Sequence, residues 1–356
     1  MKITALIMAG GKGERFWPRS RKNYPKQFLC LTGDGRTMIQ QTVDRIRPLV
    51  ELEDIFISTN KKYLNTVIEQ LPEIPKENIL CEPVGRNTAP CIGLGAVHVR
   101  KKYDDAIMLV LPSDHLIKYK GMFINVLKDA IRVAEEGDSL VTLGITPNAP
   151  ETGYGYIKFN PEETREAAFK VDRFVEKPDS AKAKEYLESE EYLWNSGMFI
   201  WKASTILHSM EEHLPEIYEG LLKIEDAIGT EDEEMVLNGV FDVIPSESID
   251  YGILEKEDSI YVFAGTFGWD DVGSWLAVER MKPLNDSGNV VEGNTMTVNV
   301  KNCIIEGSDK LIAMIGVRDL IVVDTKDATL ICAKDSTADI KKIVENLRIC
   351  NREEYL

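Results

Sequence analysis

The chain has 356 residues, 44% hydrophobic and 28% charged, a composition ordinary for a soluble globular protein with one large core or a large and a small domain. Its formal net charge of −17 argues against nucleic acid or an anionic membrane as general partners, so a phosphate site would have to be a local basic island. No apolar segment approaches the roughly 18–20 residues that span a bilayer, and MKITALIMAG runs too soon into the charged KGER to read as a signal peptide. The six cysteines (Cys30, Cys81, Cys91, Cys303, Cys332, Cys350) form no CxxC pair and no Cys/His cluster, which fits free thiols in a reducing cytoplasm.

Ile3–Met8, Ile55–Ser58 and Ile107–Leu111 read as buried strands, aliphatic or β-branched without polar alternation. Between them Met38–Leu49, Tyr63–Leu71 and Cys91–Lys102 carry helical spacing, so this part reads as βα units around a mostly parallel sheet. Further strands at Tyr156–Phe159, Phe169–Val175, Met198–Trp201 and Ile260–Phe263 are less regularly interleaved and predict a mixed sheet with antiparallel edges. Turn formers cluster at Pro283–Asn289 (PLNDSGN). Beyond them, MTVNV, CIIEG and DLIVVDT indicate a small all-β module without clean hexapeptide repeats. A terminal helix follows, with Ser336 as N-cap, Asp339 three residues on, and an apolar stripe of Ile340, Ile343, Val344 and Leu347 that suits packing or a subunit face. Two domains are expected, 1–284 and 285–356.

The first strand opens into AGGKGERFWPRSRKNYPKQF, where two standard phosphate fingerprints fail. Phe16 stands where the third glycine of GxGxxG would be, and there is no GxxxxGK[ST]. What remains is a glycine-rich turn at the carboxyl end of a strand, where open α/β sheets bind ligands. Glycines there let backbone N–H groups approach phosphate oxygens. Lys12, Arg15, Arg19, Arg21, Lys22 and Lys26 stand against one acid, Glu14, a local charge of +5 that suggests a triphosphate site. A later strand ends in LPSDH, placing Asp114 at a carboxyl end, and GWDDVGSW offers Asp270 and Asp271. Magnesium on a nucleotide typically takes one or two protein carboxylates beside phosphate oxygens and water. His115 reads as structural, because phosphate as nucleophile needs no base. Guanine presents a ring N–H beside an amino group, and Glu82, or backbone near it, could accept the pair; Asn87 or Thr88 would cap the helix that follows.

Gly10–Pro18 followed by Pro25–Lys26 resembles the GGxGxR(F/L)xP…PK signature of the sugar nucleotidyltransferases. The resemblance implies a Rossmann-like α/β fold, a mixed, mostly parallel sheet flanked by helices, with a small C-terminal left-handed β-helix-like module. It implies that Ala9, Gly10, Gly11 and Gly13 hold the nucleotide phosphates, that Arg15 and Lys26 stabilise the pyrophosphate leaving group, and that Asp114 and Asp271 hold Mg²⁺. Asp270 falls at the motif's variable position. EPVGRNTAP matches the members that take guanine and mannose, which puts Glu82, Pro83, Asn87, Thr88 and Ala89 at the nucleotide. ETGYGYI, FVEKP and WNSGMFIW are similar to the sugar motifs; they imply that Gly155, Glu176 and Asn195 hold sugar hydroxyls and Lys177 the sugar's phosphate. Arg19, where many members carry leucine, and SIDYGILEK (Ser248–Lys256) are left without a role, and Trp194 and Trp201 read as core.

The expectation is a cytoplasmic, magnesium-dependent homodimer that joins mannose 1-phosphate to GTP, releasing GDP-mannose and pyrophosphate by in-line attack without a covalent intermediate. Glucose 1-phosphate with UTP or dTTP is a rival within the class. A glycosyltransferase would show a DxD motif where this strand ends PSDH, and a non-catalytic homologue would not need Arg15, Lys26, Asp114 and Asp271 together. Some relatives carry an additional phosphomannose isomerase domain, for which this chain is expected to be too short. No candidate residue lies beyond Asp271, so the tail is expected to serve packing and assembly rather than chemistry.

Overall fold

Branched aliphatic runs without polar alternation become strands covered on both faces. In the computed structural model, which describes residues 1–11, 13–175 and 177–356, Ala5, Leu6 and Ile7 of β1 (Ile3–Met8) are fully buried. Packing divides the chain into two units. The first comprises Met1–Gly10, Val43–Ser113 and Ile117–Trp269; the second comprises Gly11–Thr42, Asp114–Leu116 and Asp270–Leu356. This division by packing does not fall at the sequence boundary 284/285.

In the first unit β1 is parallel to β2 (Ile55–Asn60), which is parallel to β3 (Ile79–Glu82); on its other side β1 is parallel to β4 (Ile107–Pro112). After a two-residue β5 (Leu116–Ile117) come β6 (Leu140–Ile145), β7 (Tyr156–Arg165), β8 (Ala168–Val175), β9 (Tyr192–Lys202) and β10 (Ile260–Gly265). Among the described residues nine strands form one mixed sheet in the order β3-β2-β1-β4-β9-β6-β10-β8-β7. β9 runs antiparallel to both β4 and β6, so strand direction reverses inside the sheet as well as towards its β7–β8 edge. Helix Thr88–Tyr103 packs close because of two glycines. A Cβ on Gly95 would lie 2.6 Å from Leu6 Cδ2, and one on Gly93 2.3 Å from Leu221 Cδ1. Each costs about 1 kcal/mol of helix propensity relative to alanine, which close packing offsets. Buried Trp194 and Trp201 belong to this unit's interior.

The second unit holds the β module. Val290–Glu292, Ile304–Glu306 and Leu320–Asp324 stack in parallel, and Thr295–Val298 pairs in parallel with Ile312–Ile315. The result is a β-helix-like coil, ended by antiparallel Thr329–Ala333, with Ile304, Ile305, Ile321 and Val323 fully buried. Buried Asn289 fixes a corner: Nδ2 donates to the Val300 carbonyl oxygen at 2.9 Å and Oδ1 accepts from Cys303 N at 2.8 Å. The terminal helix is Ile340–Ile349. Ser336 is not its cap; it lies in a preceding 3₁₀ segment, Lys334–Asp339, and its hydroxyl donates to Asp335 instead. Ile340 and Val344 are buried and Leu347 packs beside them in a core shared with Phe16, Trp17, Ile304 and Ile321, whereas Ile343 is 44% exposed. The stripe thus covers the unit's own interior.

Segment 11–42 is fastened to the coil and tail by charge. Arg19 Nη2 lies 3.1 Å from Glu306 Oε2, and Arg21 Nη2 lies 2.7 Å from Asp327 Oδ1. Lys22 pairs with Glu353 at 3.3 Å, Arg348 with Glu14 at 2.5 Å, and Trp17 Nε1 donates to the Tyr355 carbonyl oxygen at 2.7 Å. Glu306 also pairs with buried Lys282, which reaches Glu292 at 2.7 Å. Removing one partner of a buried ion pair strands the other, so Glu306→Ala should destabilise the chain by about 3 kcal/mol. Urea denaturation monitored by far-UV circular dichroism checks this; a loss below about 1 kcal/mol would mean that Lys282 and Arg19 find other partners.

Candidate functional site

The second unit encloses a cavity of about 390 Å³ built around segment 11–42. Gly13 has φ +58°, and a Cβ there would lie 2.5 Å from Lys26 Cβ and 2.6 Å from Lys26 N, so only glycine lets the loop close on Lys26. Lys26 is 5% exposed. Its Nζ lies 2.8 Å from Asp114 Oδ2, donates to the Asp271 carbonyl oxygen at 2.6 Å, and stands 5.9 Å from the Phe16 ring centre. Arg15, exposed, donates from Nη1 to the Gly273 carbonyl oxygen at 3.2 Å. Burial pushes the Asp114 carboxyl up, but Lys26 and His115 outweigh it and hold the group below the usual carboxylate value. Asp114 therefore stays ionised at neutral pH. Arg15, Lys26, Asp114 and Asp271 all line this cavity, and so does His115.

The two aspartates of GWDDVGSW do different work. Asp270 is 9% exposed, forms an ion pair with Arg280, and accepts from Val272 N at 2.8 Å. Asp271 Oδ1 accepts from Gly273 N at 3.1 Å, and the residue lines the cavity. Directly after them Val272, fully buried, has φ +49°, a region costly for a β-branched residue. Asp270 and packing hold that strained turn, which aims the Asp271 carbonyl at Lys26.

The nucleotide and sugar candidates lie in the first unit, Gly11 and Gly13 excepted. Ala9 follows β1, its carbonyl oxygen accepting from Thr59 Oγ1 at 3.1 Å. Added Cβ atoms at Gly10 and Gly11 would meet nothing within 4 Å, so their backbone is open to a ligand. Glu82 is 6% exposed and accepts from Ser58 Oγ at 2.8 Å, while burial pushes its carboxyl up. Pro83 follows β3. Asn87, at φ +70°, accepts from Thr88 N at 2.9 Å. Thr88 Oγ1 in turn accepts from Ile249 N at 2.8 Å, and Ala89 N donates to the Glu247 carbonyl oxygen at 3.1 Å. Asn195 Nδ2 donates to Asp250 Oδ1 at 2.7 Å, and Asn195 N donates to the Gly155 carbonyl oxygen at 2.8 Å. Lys177 is exposed with φ +30°; Glu176 and Lys12 lie outside the described residues.

SIDYGILEK thus acquires a position. Its first residues bridge the GRNTAP cap to Asn195, joining the base and sugar motifs, and Asp250–Leu254 is a π-helical turn, a feature frequent at functional sites. Arg19, Arg21 and Lys22 of the basic island spend their charge on the coil and tail, so the +5 overstates what faces a ligand. Beyond Asp271, where the sequence offered no candidate, Val272, Gly273 and, from the terminal helix, Lys341 also line the cavity.

A family model described as Nucleotidyl transferase matches residues 4–285, and one described as MannoseP isomerase/GMP-like beta-helix domain matches 293–347. A protein of Salmonella montevideo named mannose-1-phosphate guanylyltransferase is 43% identical over 362 residues, covering 99% of this chain and 76% of its own length. A solved structure from Thermus thermophilus, named a mannose-1-phosphate geranyltransferase, is 36% identical with a TM-score of 0.87, covering 98% of this chain and 100% of its own. Another, named mannose-6-phosphate isomerase from Helicobacter pylori, is 27% identical with a TM-score of 0.61, covering 76% and 100%.

The division of labour at Asp270 and Asp271 can be tested without activity. Asp270→Asn should cost about 1 kcal/mol, since Arg280 is half exposed and screens the loss. Asp271→Asn should stay within about 0.5 kcal/mol. Chemical denaturation of both variants decides; a larger loss at Asp271 would reverse the assignment.

Proposed function

The chain belongs to the nucleotidyl transferase family, and we propose that it transfers the guanylyl group of GTP to mannose 1-phosphate, giving GDP-mannose and pyrophosphate. The observation that carries this reading is one cavity lined by Arg15, Lys26, Asp114 and Asp271. Two hard carboxylate oxygens, one kept ionised by Lys26, fit a magnesium ion. Bound there, it would neutralise charge on the triphosphate. Gly10, Gly11 and Gly13 offer backbone to phosphate oxygens, and Arg15 and Lys26 supply charge for the departing pyrophosphate. Lys177 takes the phosphate of the sugar, and Gly155, Glu176 and Asn195 its hydroxyls. Glu82, Pro83, Asn87, Thr88 and Ala89 serve the base. Because the Glu82 carboxylate is buried against Ser58, its backbone is the part best able to read guanine.

The attacking phosphate has a second pKa near 6, so it is already largely dianionic at neutral pH and no protein base is needed. Transfer then rests on alignment and charge neutralisation, without a covalent intermediate. A mannose 6-phosphate isomerase, the name of one similar structure, would develop no charged leaving group and would leave this set of cations unused. No helix among the described residues is long and apolar enough to cross a membrane, and the six cysteines are free thiols, which supports a cytoplasmic site of action. The reading includes a homodimer, although the terminal stripe is already covered; light scattering that gave a monomer mass would remove it.

The test is pyrophosphate release over a grid of sugar phosphates and nucleoside triphosphates. GTP with mannose 1-phosphate should give the highest kcat/KM, and chelation should abolish turnover until Mg²⁺ is restored. A site that pairs buried polar groups rejects ligands that leave them unpaired, by as much as about 10⁴-fold. Preference for UTP or dTTP would overturn the base assignment. Conversion of mannose 6-phosphate without nucleotide would overturn the reaction class.

A further inference from the structure

We infer that Lys341 is a further phosphate-binding residue, which holds the part of the nucleotide that leaves as pyrophosphate; the inference rests on the function proposed above. The terminal helix is fixed beside the loop by buried Ile340 and Val344 and by the Arg348–Glu14 pair at 2.5 Å. That anchoring places Lys341 in the lining of the cavity that also holds Arg15 and Lys26. Lys341 and Lys342 both stand in the first helical turn, where the helix dipole disfavours cations. Lys342 is compensated by Asp339 at 2.8 Å; Lys341 makes no ion pair among the described residues.

The cavity's own acids do not explain it. Glu14 pairs with Arg348 and Asp114 with Lys26, and among the described residues none of the cavity's acids forms an ion pair with Lys341. A cation without an ion-pair partner in the lining of this cavity matches an anion supplied from outside. A lysine suits that place, since its ammonium is a mobile point charge able to follow a departing group.

The test uses the intact chain and inorganic pyrophosphate in magnesium buffer, followed by titration calorimetry. Lys341→Met should weaken pyrophosphate about tenfold, the low end for a charge-assisted hydrogen bond. Lys341→Arg should restore affinity to within about twofold, Lys342→Met should leave it unchanged, and melting temperatures should coincide. In the reverse reaction, Lys341→Met should raise KM for pyrophosphate about tenfold while KM for GDP-mannose holds. Unchanged pyrophosphate affinity in Lys341→Met, equal weakening in Lys342→Met, or no binding by the unaltered chain would overturn the role. If the unaltered chain binds pyrophosphate through Lys341 yet never turns over GDP-mannose, guanylyl transfer fails and the Lys341 site stands.

Discussion

Taking an ammonium out of water costs several kcal/mol unless anions and acceptors replace the lost hydration. Lys26, 5% exposed, is in that position, and what replaces its water comes from distant parts of the chain. Asp114 follows strand β4, the Asp271 carbonyl belongs to a turn some 150 residues later, and Phe16 comes from the loop itself. One buried charge thus ties three separate stretches of sequence into the second unit. The same contacts keep Asp114 ionised, and the left-handed backbone at Gly13 and Val272 lets both sides close on the ammonium. Local strain is retained because the ion pair over-determines the geometry.

The rest of the basic island supports that arrangement at longer reach. Arg19, Arg21 and Lys22 are drawn to Glu306, Asp327 and Glu353, while Glu14 is held by Arg348. Exposed pairs contribute little singly, but Glu306 is buried and shared with Lys282, so that contact resists separation. The coil and terminal helix therefore act as a brace for the glycine-rich loop proposed to hold phosphate. A preorganised loop does not have to be ordered when ligand arrives, and that advantage enters directly into catalysis by positioned charge.

Strands β1, β2 and β4 were legible because both faces are buried and the residues alternate nowhere. β9 was legible only from Met198 onward, since Asn195 and Gly197 interrupt its pattern with a local turn, Asn195 Oδ1 accepting from Gly197 N. The start of the terminal helix was misread because Ser336 and Asp335 satisfy each other instead of the helix end. Arg15, Lys26, Asp114 and Asp271 could be gathered from motifs, which carry spacing within a segment. Lys341 and the Thr88–Ile249 and Asn195–Asp250 bonds could not, because they depend on how remote segments fold together.

A net charge of −17 on a chain proposed to bind polyanions raises an apparent conflict of sign. Screening resolves much of it: at physiological salt the Debye length is about 8 Å, so exposed acids farther away hardly act on a ligand. What a phosphate feels is the immediate wall of the cavity, where Arg15, Lys26 and Lys341 face Glu14, Asp114 and Asp271. Glu14 is paired with Arg348 and Asp114 with Lys26, which weakens what those acids present to a ligand. Lys26 is buried and stands beside the Phe16 ring, so its field is less screened than that of the surface acids. Local placement, not net charge, decides which ion the site attracts.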